Sequence, residues 1–415
     1  MVGTGAIGTY VFQGFSVSIS ADGNTAIIGG CADSSNYGAA WVFTRSAGVW
    51  AQQGSKLVGT GAIGNDVYQG NSVSISADGN TAILGADGDN YRVGAAWVFS
   101  RSAGVWTQQG SKLVGTGAIG PSGQGLSISI SADGNTAIVG GYDDSSSTGA
   151  SWIYTRSAGV WSQQGSKLVG TGAAGPNVNQ GYSVSISADG NTAIVGGREA
   201  AWVFTRSAGI WAQQGSKLVG TGAIGTYVYQ GISVSISADG NTAIVGGLGD
   251  NNYVGAAWVY TRSAEVWTQQ GSKLVGTGAI GSYVKQGSSV SISADGNTAI
   301  IGGPGDDYYG AAWIFTEELD TIIGIHSSEI TGVEILVYAN PSQGQFKIDI
   351  NGLDNQDYDL EIYNSFGSKV FGDKIQSPSQ GTQSWDVDLS TYAKGIYFLR
   401  LQSKEQIIVK RIIIQ

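Results

Sequence analysis

The sequence contains few of the side chains that most catalytic centres depend on. Among its 415 residues are one Cys, one His, one Met and 5 Pro, and only 13% of the residues are charged. The lone Cys31 cannot form an internal disulfide, and we interpret it as an incidental thiol. Nucleophilic catalysis needs a base beside the nucleophile, and the only imidazole, His326, falls between two regions of different composition, where we interpret it as a linker residue. No apolar run approaches the roughly 20 residues of a membrane-spanning helix, so we expect no span.

The charge balance is acidic. The formal net charge is −10 and the pI is about 4.6, so the chain lacks the basic surface that nucleic-acid binding requires. What the sequence does have is 67 Gly, 12 Trp and 19 Tyr. Abundant glycine and aromatic residues with few charges favour short β-strands and tight turns over helices.

A repeated phrase organises the chain up to about residue 316. Ala-Asp-Gly-Asn-Thr-Ala-Ile occurs six times, with its aspartate at Asp22, Asp78, Asp133, Asp189, Asp239 and Asp295. Asp-Gly between two runs of alternating apolar and small or polar residues is a strong hairpin signal. An Ala-Ala-Trp-Val-Phe run and a Val-Trp run, which follow the hairpin, complete the unit. The pattern predicts four strands per unit and therefore a β-propeller blade; a solenoid is the structural alternative.

Further short motifs surround the hairpins. Gln13-Gly14 precedes the first hairpin, and Gly85-Ala86-Asp87 and Gly302-Gly303-Pro304 follow the second and the sixth. They stand where FG-GAP-like repeats, the family to which the integrin α-subunit propeller is related, have Phe-Gly and Gly-Ala-Pro. Residues 1–316 therefore resemble that family, which implies a propeller.

The number of blades depends on the two ends of the repeat region. Glu317-Glu318-Leu319-Asp320 replaces a fourth strand in the last unit, so we expect six blades, with a truncated seven-bladed ring as the alternative. Met1 opens the chain inside a repeat. We expect a truncated start, and export without an ordinary signal is the alternative.

A different strand pattern begins at about residue 334 and predicts a small Ig-like β-sandwich. Its phrases resemble the C-terminal sorting domain of type IX secretion cargo in the Bacteroidetes, although Ala339 stands where that family usually has Pro. The resemblance implies the type IX machinery as a partner, and a product that is secreted or attached to the outer-membrane surface. A generic Ig-like module is the alternative. The matching landmarks are Asn340, Pro341, Gly344, Tyr363, Gly367, Gly395, Tyr397 and Lys410.

We therefore expect an all-β protein with three segments. Residues 1–318 form the propeller, 319–333 a linker and 334–415 the sorting domain.

Carboxylates are the remaining candidates for chemistry. The pairs Asp87 and Asp89, Asp143 and Asp144, and Asp306 and Asp307 could in principle perform acid–base work, but they lie in Gly-, Ser- and Asn-rich loops where acidic residues are common turn formers. We therefore expect no enzyme.

Related propellers bind calcium in an Asp-x-Asp-x-Asp-Gly loop. The repeat here provides only one carboxylate per turn, which is too few oxygen ligands for a typical calcium site. We expect no cofactor, and calcium in the other acidic loops is the alternative.

Differences between the six copies fall in two loops, one between blades and one between the second and third strands. Both should leave a blade on the same side, and their Tyr, Asp, Asn and Ser content suits recognition. We predict a monomeric, non-catalytic adhesion or binding protein that recognises a protein or glycan through this variable face; a matrix scaffold and a carbohydrate-active enzyme are the alternatives. The candidate binding residues are Tyr10, Tyr37, Tyr68, Asp87, Asp89, Tyr91, Asp143, Asp144, Tyr227, Tyr229, Asp250, Tyr253, Tyr283, Asp306, Asp307 and Tyr308.

Overall fold

The computed structural model describes residues 1–173, 177–316, 333–340, 342–364, 368–376, 381–403 and 407–414. The chain divides into two compact units, Met1–Glu317 and Glu318–Gln415. Almost all of the expected linker 319–333 lies outside the described residues, and so does His326.

The predicted all-β class is confirmed. Within its described residues, the first unit consists of antiparallel sheets in sequence order, five with four strands and one with three. Each sheet is one blade.

Blades 1 to 3 contain β1 (Ser16–Ile19), β2 (Thr25–Gly30), β3 (Ala39–Ser46), β4 (Val49–Gln52), β5 (Ser72–Ile75), β6 (Thr81–Ala86), β7 (Ala95–Ser102), β8 (Val105–Gln108), β9 (Gln124–Ile130), β10 (Thr136–Gly141), β11 (Ala150–Ser157) and β12 (Val160–Gln163). Blades 4 to 6 contain β13 (Ser183–Ile186), β14 (Thr192–Gly196), β15 (Ala201–Ser207), β16 (Ile210–Gln213), β17 (Gln230–Ile236), β18 (Thr242–Gly247), β19 (Ala256–Ser263), β20 (Val266–Gln269), β21 (Ser289–Ile292), β22 (Thr298–Gly303) and β23 (Ala311–Thr316). Short turns of helical hydrogen bonding, with left-handed residues inside, lie at Asp33–Asn36, Asp89–Arg92, Asp144–Ser147, Asp250–Tyr253 and Asp306–Tyr308.

The repeated aspartate builds the hairpin between the first two strands of each blade. In blade 1, the Ser20 hydroxyl and the Asn24 backbone N–H donate to one carboxylate oxygen of Asp22 at 2.5 and 2.9 Å. The Asn24 side-chain amide donates to the other oxygen at 3.0 Å. Gly23 takes a left-handed φ of 65°, which the turn requires and glycine adopts without a steric penalty. Both carboxylate oxygens thus take part in the turn, which gives the recurring aspartate a structural role.

Consecutive blades pack through two different faces. We call the face that meets the following blade the leading face and the face that meets the preceding blade the trailing face. Between blades 1 and 2, Ile27, Ala40 and Val42 of the leading face share one apolar cluster with Val73 and Ile75 of the trailing face. The same pairing recurs in the next four clusters. The core of this unit is therefore a series of equivalent interfaces between blades.

The two end blades each leave one face uncovered. Val17 and Ile19 on the trailing face of blade 1 are 68% and 56% exposed, whereas their equivalents in blade 2 are 8% and 7% exposed. Ile300 and Ile314 on the leading face of blade 6 are 43% and 70% exposed, whereas their equivalents in blade 1 are 0% and 1% exposed. Within the described residues the six blades therefore form an open series rather than a closed ring.

The second unit has the predicted β-sandwich architecture. One sheet orders its strands β24-β25-β28 and the other β27-β26-β29-β30, and their facing sides share one apolar core that includes Ile348, Leu360, Leu399 and Ile412. The strands are β24 (Glu334–Tyr338), β25 (Gln345–Asn351), β26 (Tyr358–Asn364), β27 (Lys369–Ile375), β28 (Gln383–Asp388), β29 (Gly395–Gln402) and β30 (Ile407–Ile414).

Candidate functional site

The two variable loops of a blade are tied together by a buried aspartate. In blade 2, Asp89 is fully buried. It accepts a hydrogen bond from the Ile63 backbone N–H at 2.8 Å and an ion-pair contact from Lys112 at 2.5 Å. Asp144 and Asp250 are buried in the same way, and their lysines are Lys167 and Lys273. These three predicted binding residues hold the loops in place and would have to leave their partners to contact a ligand.

The other predicted carboxylates have different surroundings. Burial raises the pKa of Asp87, which accepts a hydrogen bond from Asn71 at 3.0 Å. Asp143 accepts a hydrogen bond from Ser147 at 2.6 Å and lies 3.9 Å from Arg92.

In blade 6, Asp306 accepts a hydrogen bond from the Ile280 backbone N–H at 2.6 Å, and Asp307 is exposed. Ion pairing or loop hydrogen bonds thus involve at least one member of each predicted carboxylate pair.

Four of the predicted tyrosines form a continuous contact series across the variable face of blades 5 and 6. The ring centroids of Tyr227 and Tyr229 are 6.3 Å apart with nearly parallel planes, those of Tyr229 and Tyr253 are 6.4 Å apart, and those of Tyr253 and Tyr283 are 5.8 Å apart. We call this series the tyrosine ladder. A hydrogen bond with Tyr253, together with burial, raises the pKa of Tyr229. Tyr227 and Tyr283 remain 71% and 62% exposed, so the ends of the ladder are open to a ligand.

A cavity of about 640 Å³ lies at the Tyr227 end of the ladder. It exists because blade 4 connects its second and third strands through the short Arg198-Glu199 link, where the other blades have a longer loop. Arg198 is exposed, and its positive charge opposes the rise in the Tyr229 pKa. Glu199 is paired with Lys217 at 3.2 Å. The cavity wall thus combines aromatic rings with a guanidinium group, and the side chains of Asn177 and Thr226 add hydrogen-bonding groups.

Three polar residues of this cavity were not among the predicted binding residues. Arg198, Asn177 and Thr226 line the cavity beside Tyr227 and Tyr229. The sequence signal that could have found them is the interval between Asp189 and Asp239, which is shorter than the intervals between the other repeat aspartates because one loop is missing. A missing loop opens a space between its neighbours, and its flanking residues then become the walls.

A second aromatic contact lies at blades 3 and 4. Tyr142 and Tyr182 meet edge to face with ring centroids 6.0 Å apart, and the Arg92 guanidinium lies 5.9 Å from the Tyr142 ring centroid. Sequence reasoning did not single out either tyrosine.

The remaining predicted tyrosines do not join the ladder. Tyr10, Tyr91 and Tyr308 are 76%, 82% and 98% exposed. Tyr37 is partly buried against the apolar cluster between blades 1 and 2. The pKa of Tyr68 is raised by burial and by the neighbouring Asp66 and Asp87.

Several landmarks of the predicted sorting domain have clear structural roles. The Asn340 side chain bridges to the last strand, donating to the Arg411 carbonyl at 2.9 Å and accepting from the Ile413 N–H at 2.8 Å. Gly344 has a φ of 99°, and an added Cβ would lie 2.5 Å from the Ser390 Cα. Buried Tyr397 donates its hydroxyl hydrogen bond to the Ala393 carbonyl at 2.6 Å.

Tyr363, Gly395 and Lys410 are less constrained. The Tyr363 hydroxyl donates to Glu361 at 2.7 Å, Gly395 begins β29 and Lys410 is exposed on β30. Pro341 and Gly367 lie outside the described residues.

Comparison with known protein families identifies the C-terminal domain. Residues 336–415 match the family model of the secretion system C-terminal sorting domain. The chain therefore carries a type IX sorting domain, which indicates export and a secreted or cell-surface location. In the part of the chain that the structure describes, no helix is long and apolar enough to cross a membrane. No curated protein sequence matches the chain significantly.

Solved structures that are similar to the chain include three at 12% identity. They are hydrazine synthase of Kuenenia stuttgartiensis (77% of this chain, 99% of that chain, TM-score 0.37), a functionally unknown protein of Desulfotomaculum acetoxidans (91%, 96%, 0.42) and the GH74 enzyme of Niastella koreensis (97%, 59%, 0.44). This chain thus matches 59% of the length of the Niastella protein. At these TM-scores the similarities carry no functional assignment.

The variable face presents mainly aromatic and polar side chains. Tyrosines provide rigid, amphipathic contact area at low entropic cost. Among the described residues, no group of three or more His, Cys, Asp or Glu side chains is placed to hold a metal ion. Burial raises the pKa of the Cys31 thiol, which lowers the fraction of reactive thiolate at neutral pH.

Proposed function

We propose that this protein is a non-catalytic recognition protein of the cell surface or its surroundings. Its FG-GAP-like propeller, of Bacteroidetes origin, would bind a glycan or protein ligand in an adhesive role through the variable face. The observation that carries the proposal is the tyrosine ladder, which joins loops from consecutive blades and ends at a cavity. The sorting domain supports the proposal, because a protein that is exported to the cell surface encounters glycan and protein ligands there.

A glycan is the ligand class that the ladder and cavity support best. Aromatic rings stack on the apolar faces of sugar rings, and the polar groups of the cavity can bond to hydroxyl groups. Small-molecule sites commonly combine apolar and aromatic walls with a few placed polar groups. The cavity has that composition, since Tyr227 and Tyr229 face the same space as Asn177, Thr226 and Arg198.

The proposal predicts that binding depends on the ladder. The full-length protein and the triple variant Tyr227→Ala, Tyr229→Ala, Tyr253→Ala are applied to arrays of bacterial, plant and host glycans and of surface proteins. We expect the parent to bind a defined ligand set and the variant to lose at least tenfold in affinity, because hot-spot aromatic residues contribute about 2 kcal/mol or more each.

A matched control removes three tyrosines from the same side of the molecule. Tyr10, Tyr91 and Tyr308 are exposed but lie outside the ladder. The variant Tyr10→Ala, Tyr91→Ala, Tyr308→Ala should bind as the parent does. Binding that survives loss of the ladder, or that is lost in the control alone, would contradict the proposed site. A parent protein that binds nothing on either array would favour the scaffold alternative.

A further inference from the structure

The cavity at the Tyr227 end of the tyrosine ladder carries a positive charge on its wall. Apart from tyrosines, its ionisable wall residues are Arg198 and Glu199. The Glu199 carboxylate already has a cation, because the Lys217 amino group lies 3.2 Å from it. Arg198 is exposed and makes no ion pair with any residue that the structure describes. Its guanidinium group is therefore available to a ligand.

The backbone fixes the position of Arg198 while its side chain stays accessible. The Arg198 N–H donates to the Val178 carbonyl at 2.8 Å, and the Gly197 N–H donates to the Ala200 carbonyl at 3.0 Å. These bonds close the short link between β14 and β15 and tie it to the loop that precedes blade 4. A group on a backbone that is already ordered loses less entropy when it binds a ligand.

A cation at this position is particular to blade 4. The residues that make the same backbone bond in other blades are small or acidic: Ala32, Asp143, Gly249 and Gly305. The blade fold therefore does not require an arginine here. Blade 4 is also the blade with the shortened link, so the cation occurs where the missing loop opens the cavity.

The arginine and the tyrosines act on the same space. A hydrogen bond with Tyr253 and burial raise the pKa of Tyr229, and the positive charge of Arg198 opposes that rise. The guanidinium group is thus near enough to influence the Tyr229 hydroxyl. Tyr229 and Tyr227 both line the cavity, so a sugar ring stacked on either one places its substituents in the same space as the guanidinium group.

We propose that this cavity binds an acidic sugar, whose carboxylate or sulfate group pairs with Arg198 while its ring stacks on Tyr227 or Tyr229. The inference rests on the proposed function and names the ligand class of the same site. A guanidinium group can donate two parallel hydrogen bonds to an oxyanion such as a carboxylate, and such charge-assisted bonds are stronger than neutral ones. The side chains of Asn177 and Thr226 remain for uncharged hydroxyl groups of the sugar.

Matched pairs of oligosaccharides test the charge preference. One pair is an oligogalacturonate and its uncharged methyl ester, and the other is a sulfated oligogalactan and its desulfated form. In calorimetric titrations of the full chain, the acidic member of at least one pair should bind about tenfold tighter than its neutral counterpart, because hydrogen bonds to charged groups contribute more than neutral ones. The pair with the larger preference identifies the anionic group. Rising salt should reduce the preference, since dissolved ions screen accessible charges.

Arg198→Gln separates this inference from the proposed function. The variant keeps a polar side chain but removes the charge, so the neutral probes should bind as they do to the parent and the preference for acidic probes should disappear. The matched control is Arg92→Gln. It removes the same charge from an arginine of the variable face that lies beside Tyr142, outside the cavity, and whose side chain is 55% exposed. This control should keep the preference of the parent.

Equal binding of acidic and neutral probes by the parent would overturn this inference and leave the proposed function intact. A preference that survives in Arg198→Gln, or that is lost equally in Arg92→Gln, would have the same effect. A parent that binds none of the four probes would also overturn the inference. The proposed function itself fails only if the glycan and protein arrays give no ligand, or if binding survives loss of the tyrosine ladder.

Discussion

At the scale of single residues, the most constrained groups are the buried aspartates between the variable loops. Each lies 23 residues before the lysine that pairs with it, as in Asp144 and Lys167, and each also accepts a backbone N–H from the neighbouring loop. A buried charge without its partner is costly, because the interior solvates it poorly. The shape of the variable loops therefore depends on side chains that do not vary.

Lys167→Met should destabilise the propeller by about 3–5 kcal/mol, because it leaves Asp144 buried and unpaired. Lys217→Met is the matched control: it breaks the more exposed pair with Glu199, whose side chains are 24% and 28% exposed, and should cost less than about 1 kcal/mol. Urea denaturation followed by tryptophan fluorescence measures both. Equal effects for the two variants would contradict the structural role assigned to the buried pairs.

The sequence predicted that acidic loop residues matter but not how they act. Asp143 and Asp144 are adjacent in the sequence, yet Asp144 is fully buried and Asp143 lies nearer the surface beside Arg92. Which of two neighbouring side chains turns inward depends on the left-handed residues that follow, such as Ser145 and Ser146. Turn geometry of this kind has no simple sequence signal in a Ser-rich loop. The constant spacing to the lysine was a usable signal.

At the scale of elements, the hairpin at the start of each blade is held by one carboxylate. Burial raises the pKa of Asp189, but hydrogen bonds from Ser187 and Asn191 outweigh burial and hold the pKa below its ordinary value of 3.8. A lowered pKa in the folded state means that the ionised carboxylate stabilises the fold above about pH 3.8. This contribution is lost as the pH falls through the folded-state value.

Asp189→Ala should therefore cost on the order of 1 kcal/mol at neutral pH, and the difference from the parent should shrink as the pH falls below 3.8. Glu265→Ala removes an exposed carboxylate from the turn between the third and fourth strands of blade 5 and should show little cost at either pH. Unfolding free energies measured between pH 7 and pH 2.5 check the trend. A cost that stays constant down to pH 2.5 would show that the charge contributes nothing to the turn.

The elements themselves were predictable because their signals are local. The Asp-Gly turns and the alternating strands appear in the structure where the sequence places them. The tyrosine ladder could not be predicted from local signals, because Tyr229, Tyr253 and Tyr283 come from three loops whose side chains meet only in the folded protein. The sequence placed these loops on one side but could not supply the contacts.

At the scale of the whole molecule, the two units have separable tasks. A chain that lacks residues 336–415, expressed in a bacterium with type IX secretion, should remain inside the cell envelope, because it has lost the matched sorting domain. Cell fractionation with an antibody to the propeller measures its location. The ladder variant with three alanines should be exported like the parent. Normal export of the shortened chain would show that another segment directs secretion.

The equivalence of the five internal interfaces has a consequence for how this molecule can change in length. Adding one repeat anywhere in the series creates one more interface of the same kind and leaves the two terminal surfaces as they were. The free energy of such an insertion is therefore nearly independent of its position, as in a one-dimensional array of identical neighbours. Duplication or loss of a whole repeat would change the number of loops offered to a ligand in integer steps, while the chemistry of the ends stays constant.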